Sequence, residues 1–494
     1  MNHTAKLSWS TYQQAIYANF EDNDGHAVVE AVAGSGKTTT IIEGTNHVPR
    51  HQRVLLCAFN KSIQTELARR VHGTIDVRTL HSLGLLACKR AFGDVTIDEN
   101  KGRDLARRVC IEHGHFFIGK QDGAQVPKAG WQKVAKLAGI AKNTLTNEDD
   151  QAAMENLATD FRLDDDPRSI TGEQLALWAA ECIKLAADDK VALDFDDMVW
   201  FPARHELRPA SHDVVVVDER QDLNAAQVYL TKALCRREGR IVAVGDRYQA
   251  IYGFRGADSR AMDQMVQDLG AITLPLSISY RCPKSVVRLA QEVVPHFEAA
   301  SDAPEGLVRH CTAADLKGAQ PGEMILSRTK APLLRHALGF LARGTPACIL
   351  GRDIAKSIVK LIERSKRDDV PSMNRWIEDW RQKEVFRLRE LERDELAEEV
   401  NDTAEVVFTL SEGEQKTQDV IARTHSLFRD DDPQTRVVLS TVHKAKGLER
   451  DKVWMIADTF KLWEGDRWQE ERNLYYVAVT RAKSELCFVG EVRR

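Results

Sequence analysis

The sequence predicts an α/β protein in which two parallel-sheet domains stand in tandem, each interrupted by a mainly helical insertion. Short apolar runs alternate with helical patterns in two separate regions of the chain, which is typical of parallel sheets covered by helices. In the first region, Val214–Val217 is β-branched throughout, as expected of a strand that is buried on both faces. The length of 494 residues exceeds one ordinary hydrophobic core and allows roughly two to four domains.

The first region contains five candidate strands and a long helical stretch. The strands are Ala27–Ala31, Val54–Phe59, Ile75–Thr79, Val214–Val217 and Ile241–Val244. Between about 84 and 210 the spacing of apolar residues is helical instead, for example in Gly102–His113, Gly130–Ala141 and Gly172–Ala187. We therefore expect a first sheet domain over 1–83 and 211–274, with a helical insertion over 84–210.

A second alternating region begins near residue 272. Its candidate strands are Ala271–Leu274, Glu323–Leu326, Ala347–Leu350, Val437–Ser440, Val453–Ile456 and Leu486–Val489. We expect the second sheet domain over 275–352 and 433–494, with a short charged helical insertion over 353–432. Within that insertion, Arg381–Glu399 is rich in Arg and Glu, and Val385, Leu388 and Leu391 form a narrow apolar stripe. This pattern fits a long solvated helix or a helical hairpin, and alternatively a docking surface for DNA or a protein partner.

Composition and charge exclude several classes of protein. The net charge of −5 gives no global basic signature, although a local groove can still be basic enough for nucleic acid. The nine cysteines form no Cys-x-x-Cys pair, which argues against a zinc ribbon, an iron–sulfur cluster or a disulfide framework. Met1–Ser10 lacks the apolar core of a signal peptide, and no apolar run approaches the length of a membrane span. We expect a cytoplasmic protein without a membrane partner.

A phosphate-binding loop follows the first candidate strand. Glu30–Thr39 combines two glycines with Lys-Thr at the start of a predicted helix that runs from Thr38 to Gly44. Glycine permits the tight curl of such a loop, and its N–H groups and the helix dipole attract phosphate. Lys37 would reach the β- and γ-phosphates, and the Thr38 hydroxyl would hold Mg²⁺. The predicted nucleotide-binding residues of the loop are Gly34, Ser35, Gly36, Lys37, Thr38 and Thr39.

An acidic segment follows the strand Val214–Val217. Asp218 and Glu219 come directly after its four buried residues, at the carboxyl end of the strand, which is the binding edge of a parallel sheet. Asp218 would bind Mg²⁺ through water, together with Thr38, and Glu219 would polarise the water that attacks the γ-phosphate. The sequence therefore predicts a site for hydrolysis of a nucleoside triphosphate.

The next strand ends in a glutamine and a cluster of aromatic residues. Gln249, shortly after Ile241–Val244, is placed to sense the γ-phosphate. Tyr252, Phe254 and Arg255 lie just beyond it, and aromatic faces beside a guanidinium suit the stacked bases of a single strand. Such a cluster is more often core packing when it stands alone, but its place beside the nucleotide edge favours a contact with DNA.

Taken together and in this order, these motifs resemble those of superfamily 1 DNA helicases of the UvrD/Rep type. The resemblance spans nearly the whole chain and implies an α/β fold with two RecA-like P-loop NTPase parallel-sheet domains in tandem. Trp9–Ile16 resembles the segment that reads adenine, with Gln13 as the expected reader and Gln14 as its rival. Asp194–Asp197 resembles the acidic segment that precedes the Asp-Glu strand in the family.

Two further motifs resemble early DNA contacts of the family, namely Val54–Lys61 and Thr79–Ser82. The resemblance implies that Phe59, Asn60 and His81 contact DNA. In the second half of the chain three more motifs continue the match. They are Ser279–Arg281, Ser440–Glu449 and Glu470–Ala482.

The second-half motifs imply further roles in nucleotide and DNA binding. Tyr280 would stack on adenine and Arg281 would meet the γ-phosphate. His443 would contact DNA, and Glu449 would lie beside the nucleotide. Arg481 would be the arginine finger, a group that contributes roughly 10³–10⁵ to the rate of phosphoryl transfer.

The resemblance implies an ATP-dependent DNA helicase or translocase that uses ATP and Mg²⁺. Such an enzyme moves 3′ to 5′ on single-stranded DNA and unwinds duplex DNA or displaces bound protein. Lys37 belongs to the first domain, whereas Arg281 and Arg481 belong to the second, so we expect hydrolysis to require closure of the two domains on ATP. The expected partners are single-stranded and duplex DNA and a protein such as a nuclease or repair factor, with the oligomeric state left open.

The sequence departs from the family pattern at a few positions. Ala31 replaces the first glycine of the loop, Arg220 stands where a small residue is common, and Phe254 stands where Trp is usual. Lys444 adds a charge near the expected DNA path, and the short second insertion, 351–433, favours hydrolysis and translocation over processive unwinding.

Two other functions remain open at this stage. One is an ATP-gated accessory or regulatory subunit of a DNA repair or anti-phage defence nuclease complex, with little unwinding of its own. The other is a small-molecule kinase that uses the same phosphate loop, although Gln249, Arg281 and Arg481 argue against it.

Overall fold

The chain divides into two compact units in a computed structural model. One unit comprises residues 1–32 and 36–277, and the other comprises residues 33–35 and 278–494. The structure describes residues 9–22, 25–113, 128–161, 163–164, 170–251, 261–390, 394–429, 434–462 and 468–492.

The first unit is built from alternating helices and strands, with a run of helices in the middle. Its elements are α1 (Thr11–Asp22), β1 (Ala27–Ala31), α2 (Lys37–Asn46), β2 (Val54–Ala58), α3 (Lys61–Arg70), β3 (Asp76–Thr79), α4 (Leu80–Phe92), β4 (Thr96–Ile97), α5 (Lys101–Glu112), α6 (Lys128–Thr144), α7 (Gln151–Asp160), α8 (Gly172–Asp188), β5 (Ala192–Leu193), α9 (Phe195–Arg204), β6 (His212–Val217), α10 (Ala225–Leu234), β7 (Cys235–Gly245), α11 (Ala261–Leu269) and β8 (Ile272–Leu276). Short 3₁₀ turns follow β6 and β7, at Arg220–Asp222 and Arg247–Gln249.

The main sheet of this unit is parallel, with the strand order β3-β2-β6-β7-β1-β8. Each face of the sheet carries its own hydrophobic core, so the central strands are buried on both sides. Glu30 pairs with Gly245, and Val217 pairs with Ala243. The carboxyl ends of β1, β7 and β6 therefore lie side by side, and the segments that follow them share one edge of the sheet.

The sequence left one strand ambiguous. The run Ala271–Leu274 was grouped with the second alternating region but lay inside the predicted bounds of the first domain, and in the structure β8 pairs in parallel with β1 and closes the edge of the first sheet. Most of β8 is exposed and it contains Pro275, as an edge strand allows. Alternation along the chain cannot show which sheet an edge strand joins, because pairing is a long-range contact.

The helical insertion of the first unit has a hydrophobic core of its own, formed mainly by α5 to α9. A buried ion cluster lies inside this core. The Nζ atoms of Lys101 and Lys142 lie 2.8 Å and 2.7 Å from the two carboxylate oxygens of Asp197. The insertion is thus a packed body and not a loop between strands.

The second unit also alternates helices and strands and contains a smaller helical insertion. Its elements are β9 (Ile278–Ser279), α12 (Lys284–Ala290), β10 (Glu298–Ala299), β11 (Leu307–Cys311), α13 (Ala313–Leu316), β12 (Met324–Ser327), α14 (Ala331–Ala342), β13 (Ala347–Leu350), α15 (Arg352–Arg364), α16 (Val370–Glu390), α17 (Asp394–Ser411), α18 (Thr417–Leu427), β14 (Phe428–Arg429), β15 (Val437–Thr441), α19 (Val442–Ala445), β16 (Arg450–Ile456), α20 (Trp468–Val479) and β17 (Ala482–Val489).

Its main sheet is parallel too, with the order β11-β17-β16-β12-β15-β13-β14. The predicted fold class of two parallel-sheet domains is confirmed. Strand β11 was not predicted from the sequence, because it is an edge strand whose residues are mostly exposed and lack an apolar run.

The charged insertion of the second unit forms a helical hairpin, one of the alternatives that its sequence allowed. Helices α16 and α17 pack against each other, and Arg381 pairs with Glu378 on its own helix and with Glu405 on the facing one. Leu388 of the predicted apolar stripe is buried, whereas Leu391 lies outside the described residues. The hairpin shares one hydrophobic core with β13 and β15, so it is continuous with the sheet domain.

No disulfide joins any of the nine cysteines, all of which belong to the described part of the chain. Burial raises the pKa of the Cys57 thiol to about 12, as expected for an inert core thiol. Over the residues that the structure describes, every helix is too short or too polar to cross a lipid bilayer.

Candidate nucleotide and nucleic-acid site

The phosphate loop lies between β1 and the first turn of α2. Gly34 and Gly36 have φ angles of 73° and 77°, in the left-handed region that favours glycine. Ser35 between them is 1% exposed, and its hydroxyl oxygen has no hydrogen-bond partner. A buried hydroxyl beside a helix N-terminus fits a site that a phosphate group would complete. Ala31 ends β1 in ordinary strand conformation, so this position does not require a glycine.

Lys37 faces the acidic segment at the end of β6. Its Nζ lies 3.3 Å from Oε1 of Glu219, and the Glu219 N–H donates to Oδ1 of Asp218 at 2.9 Å. Burial alone disfavours the ammonium ion, but the charges of Glu219, Asp246 and Asp218 outweigh it and raise the pKa of Lys37. Burial, with the neighbouring charge of Glu219, raises the pKa of Asp218 to about 7. The segment thus holds more negative charge than Lys37 balances.

This excess of negative charge fits a divalent cation. The carboxylate of Asp218 and the hydroxyl of Thr38, in the first turn of α2, are the hard oxygen donors that Mg²⁺ prefers. Among the described residues, no group of three or more His, Cys, Asp or Glu side chains is arranged to hold a metal by itself. Mg²⁺ at this place would therefore depend on nucleotide phosphates and water for its remaining ligands, which is its usual coordination.

Gln249 lies in the 3₁₀ turn after β7 and is buried. Its Nε2 donates to Oδ2 of Asp246 at 2.8 Å, and Oδ1 of Asp246 accepts the Tyr248 N–H at 3.0 Å. Strand β7 lies between β1 and β6 in the sheet. The segment after β7, which carries Gln249, is therefore flanked by the segment after β1, which carries Lys37, and the segment after β6, which carries Asp218. Tyr252, Phe254 and Arg255 lie outside the described residues.

Helix α1 carries the two glutamines that compete as adenine readers. Gln13 is buried, its Nε2 donates to Oγ1 of Thr40 in α2 at 3.1 Å, and its Oε1 accepts the Ser10 N–H at 3.0 Å. Gln14 is exposed and donates to the carbonyl oxygen of Trp9. Gln13 thus contacts the helix that follows the phosphate loop, and the choice between Gln13 and Gln14 as adenine reader stays a prediction. The contact of Thr40 with Gln13 was not predicted from the sequence, because Thr40 belongs to none of the recognised motifs.

The departure at Arg220 has a structural explanation. This side chain is buried, and its Nε lies 3.1 Å from the sulfur of Met265 in α11. Arg220 therefore fixes the turn after Asp218 and Glu219 against the helix that covers it. The glutamine beside it, Gln221, was also missed by sequence reasoning, although it contacts Glu219 directly.

The expected DNA contacts of the first unit lie at strand ends and helix starts. Phe59 is half-buried after β2, and the Asn60 side chain caps α3 by accepting the Ile63 N–H at 2.9 Å. His81 lies in the first turn of α4, where burial lowers its pKa, and its ring meets Phe195 edge-on at 6.5 Å. The capping hydrogen bond is a sufficient structural reason for an asparagine at position 60, so the proposed contact of Asn60 with DNA rests on the resemblance alone.

The second unit brings three of its predicted nucleotide-site residues together. Arg281 forms an ion pair with Glu449 at 2.5 Å. Arg481 is 1% exposed and donates to the carbonyl oxygens of Val477 and Leu448, the latter adjacent to Glu449. Arg481 is thus held against its own unit by backbone acceptors.

The remaining predicted residues of the second unit lie near its surface. Tyr280 is 51% exposed. His443, in the short helix α19, is half-buried, and the neighbouring Lys444 is exposed.

The fold and the site together define a P-loop nucleotide-binding protein with two tandem parallel-sheet domains. Comparison with family models makes this more specific. Residues 9–270 match the UvrD/REP helicase N-terminal domain, and residues 351–491 match the UvrD-like helicase C-terminal domain. The chain belongs to the UvrD/Rep helicase family, and its two sheet domains are RecA-like.

Curated relatives are similar at modest identity. A probable DNA helicase of Mycoplasma pneumoniae is 23% identical over 496 residues, which cover 95% of this chain and 81% of the relative. F-box DNA helicase protein 1 of Schizosaccharomyces pombe is 24% identical over 96% of this chain, and ATP-dependent DNA helicase PcrA of Bacillus subtilis is 25% identical over 60% of it. The matched part spans 57% and 41% of these two longer relatives, respectively.

Proposed function

We propose that this protein hydrolyses ATP to move 3′ to 5′ along single-stranded DNA, and that it unwinds duplex DNA or displaces bound protein. The observation that carries the proposal is the grouping of Lys37, Asp218, Glu219 and Gln249 at the adjacent carboxyl ends of β1, β6 and β7. A lysine, two carboxylates and a polar sensor after neighbouring strands are the parts that phosphoryl transfer to water needs. The domain boundaries predicted from the sequence are part of this proposal.

The side chains of the first unit would divide the chemistry as follows. Lys37 would exchange its ion pair with Glu219 for the β- and γ-phosphates of ATP. This exchange would leave the Glu219 carboxylate available to accept a proton from the attacking water. Thr38 and Asp218 would hold Mg²⁺, which neutralises charge on the phosphate oxygens when it is bound. Gln13 would read the adenine, and Gln249 would respond to the γ-phosphate.

The second unit would supply positive charge for the transition state. Arg281 and Arg481 would stabilise the negative charge that develops on the transferred phosphoryl group. Both are engaged within their own unit, Arg281 with Glu449 and Arg481 with backbone carbonyls, so each would have to change partners before acting. Hydrolysis would therefore be coupled to a conformational step, and that step would move the DNA.

DNA would be bound by residues of both units. The proposed contacts are Phe59, Asn60, His81, Tyr252, Phe254, Arg255 and His443. Similarity to DNA helicases supports DNA as the partner, and similarity to the ATP-dependent DNA helicase PcrA supports ATP as the nucleotide. A nuclease or repair factor remains a proposed protein partner.

Lys37→Ala is expected to abolish hydrolysis without unfolding the protein, because it removes the ammonium that binds the phosphates. We expect the ATPase rate with saturating single-stranded DNA to fall at least 10²-fold, as for removal of an essential charge-stabilising group. Lys232→Ala is the matched control, since Lys232 forms an exposed ion pair with Asp268 in the same unit. A parental ATPase rate for Lys37→Ala would overturn the site.

Polarity is tested by strand displacement on duplexes that carry either a 3′ or a 5′ single-stranded tail. We expect ATP-dependent displacement from the 3′-tailed duplex, none from the 5′-tailed duplex, and none from either with Lys37→Ala. Displacement from the 5′-tailed duplex alone would contradict the proposed direction. DNA-stimulated hydrolysis without displacement from either duplex would contradict unwinding and favour an accessory subunit.

A further inference from the structure

A glutamine beside the acidic pair holds the carboxylate of Glu219. Gln221 is 1% exposed, and its Nε2 donates to Oε2 of Glu219 at 2.5 Å. The Lys37 ammonium lies 3.3 Å from Oε1 of this carboxylate and donates to Oε2 at 3.4 Å, so Lys37 and Gln221 share Oε2. Glu219 therefore has a charged partner, which binds phosphate in the proposed function, and a neutral partner.

The backbone at Glu219 explains why such support is needed. Its φ angle is +51°, in the left-handed region that costs energy for a residue with a side chain. The turn that follows is a short 3₁₀ segment, Arg220–Asp222, closed by a hydrogen bond from the Asp222 N–H to the Glu219 carbonyl oxygen. A strained turn persists only where surrounding contacts hold it in place.

The other end of the Gln221 amide is bound to a different strand. Its Oε1 accepts the backbone N–H of Asp246 at 3.0 Å, just after β7. The Asp246 carboxylate in turn accepts from Gln249. One amide side chain thus connects the Glu219 carboxylate to the segment that carries Gln249.

The last residue of β7 leaves room for this amide. A Cβ atom at Gly245 would lie 2.5 Å from Oε1 of Gln221, closer than real side chains approach one another. Gly245 is not among the glycines with a positive φ angle, so its backbone does not demand glycine. The Gln221 oxygen is the nearest atom to such a Cβ, and the backbone nitrogens of Arg220 and Gln221 would lie 3.3 Å from it. The space taken by the Gln221 side chain is therefore the main reason for a glycine at this position.

We propose that Gln221 is a positioning residue for ATP hydrolysis, which keeps the Glu219 carboxylate oriented when Lys37 binds phosphate and links that orientation to the Gln249 segment. This inference rests on the proposed function. If Lys37 exchanges partners, the hydrogen bond from the Gln221 amide still restrains the Glu219 side chain. Misplacing a catalytic group by about 1 Å costs on the order of 10²-fold in rate, so the loss of this restraint would be visible in kcat.

The first test is the split between kcat and KM in Gln221→Ala. We expect kcat for ATP at saturating single-stranded DNA to fall about tenfold to a hundredfold, with the KM for ATP changed less than about threefold, because the amide contacts the general base and not the nucleotide. In Gln221→Glu the acceptor for Asp246 remains while the donor to Glu219 is lost, and we expect a fall of similar size. Full activity of Gln221→Glu would overturn the proposal, because the donor would then be dispensable.

A double-mutant cycle with Gly245 gives the second test. Gly245→Ala introduces a methyl group at the Gln221 oxygen, so it should lower kcat by displacing the amide. In the Gln221→Ala background the same substitution should have a clearly smaller effect, because only the contacts with backbone nitrogens at 3.3 Å remain, and the two losses should be non-additive. Independent, additive losses would contradict an action of Gly245 through Gln221.

The controls separate this inference from the proposed function. Gln174→Ala removes a half-buried glutamine that caps α8 by a hydrogen bond to Thr171, and it should keep the parental kcat. A parent protein without DNA-stimulated ATPase activity would overturn the proposed function and this role together. An active parent and an inactive Lys37→Ala, combined with full activity of Gln221→Ala, would overturn the role of Gln221 alone.

Discussion

At the scale of single residues, the acidic segment after β6 concentrates charge where the sheet is most buried. Asp218 and Glu219 are adjacent, Lys37 is close to Glu219, and Asp218 is almost fully buried. A buried carboxyl next to a carboxylate is unfavourable for folding unless a cation or a proton joins it. The protein therefore accepts a local loss of stability at the position where the proposed chemistry needs a metal ligand.

The titration of Asp218 predicts a pH-dependent stability of the nucleotide-free protein. The pKa of Asp218 is raised from its ordinary value near 3.8 to about 7 in the folded state, so the folded protein binds a proton more tightly than the unfolded chain does. This group stabilises the fold below about pH 4, and the contribution is lost as the pH rises through about 7. The substitution Asp218→Asn removes the titrating carboxyl group and with it this contribution to the pH dependence of stability.

We expect Asp218→Asn, measured with EDTA and without nucleotide, to be more stable than the parent at pH 8. The gain should be on the order of 1 kcal/mol or more in the free energy of unfolding and should shrink towards pH 5. Thermal unfolding followed by circular dichroism at both pH values measures the difference. An equal effect of the substitution at pH 5 and pH 8 would show that burial does not raise this pKa.

At the scale of elements, the helical insertion of the first unit is organised around buried ions. Lys101 of α5 and Lys142 of α6 both bind Asp197 of α9, which is 0% exposed. Lys101 also donates to the carbonyl oxygens of Ala186 and Asp189 at the end of α8. Four helices are thus joined through Lys101, Lys142 and Asp197, which fixes their relative arrangement better than apolar contacts alone would.

Asp197→Asn is expected to destabilise the protein by about 3–5 kcal/mol, because it removes the counter-ion of buried Lys101 and leaves buried Lys142 with only the more distant Asp194 carboxylate, at 3.6 Å. The matched control is Asp104→Asn, which breaks an exposed pair with Arg103 and should cost less than about 1 kcal/mol. Urea unfolding measures the loss of stability, and native-state hydrogen exchange shows whether that loss lies in the helical insertion. A fall of the same size in both variants would mean that burial of the cluster is unimportant.

At the scale of the whole molecule, the net charge of the protein has the same sign as the charge of DNA, its proposed partner. The chain has a net charge of −5, so binding to DNA must come from local groups and not from long-range attraction of the entire protein. Binding of this kind still releases counter-ions from each phosphate that a cation contacts, and it is therefore sensitive to salt.

We expect the affinity for a single-stranded oligonucleotide to fall about fiftyfold between 50 and 200 mM salt, if about four phosphates are contacted. Fluorescence anisotropy without nucleotide measures the slope. Lys37→Ala should leave that slope unchanged, because Lys37 is proposed to bind ATP and not DNA. A slope near zero would argue against phosphate contacts and against the proposed DNA path.

The sequence predicted local features well because they depend on neighbours along the chain. The buried strand Val214–Val217, the two glycines of the phosphate loop and the acidic pair after β6 were each recognisable from a few consecutive residues. The pairing of β8 and the role of Gln221 were not, because both depend on contacts with distant strands. Arg220 was unexplained for the same reason, since its partner Met265 lies 45 residues further on.

By itself, the sequence determined the fold class, the phosphate loop and the family to which the chain belongs, because hydrophobic periodicity and short motifs express local physical requirements. Only the tertiary structure decided which strands neighbour one another, and hence that Lys37, Asp218, Glu219 and Gln249 follow adjacent strands. It also decided which partners the charged side chains have, Glu449 for Arg281 and backbone carbonyls for Arg481. The physical reason is that hydrogen bonds and ion pairs depend on distance in space, which a linear pattern does not contain.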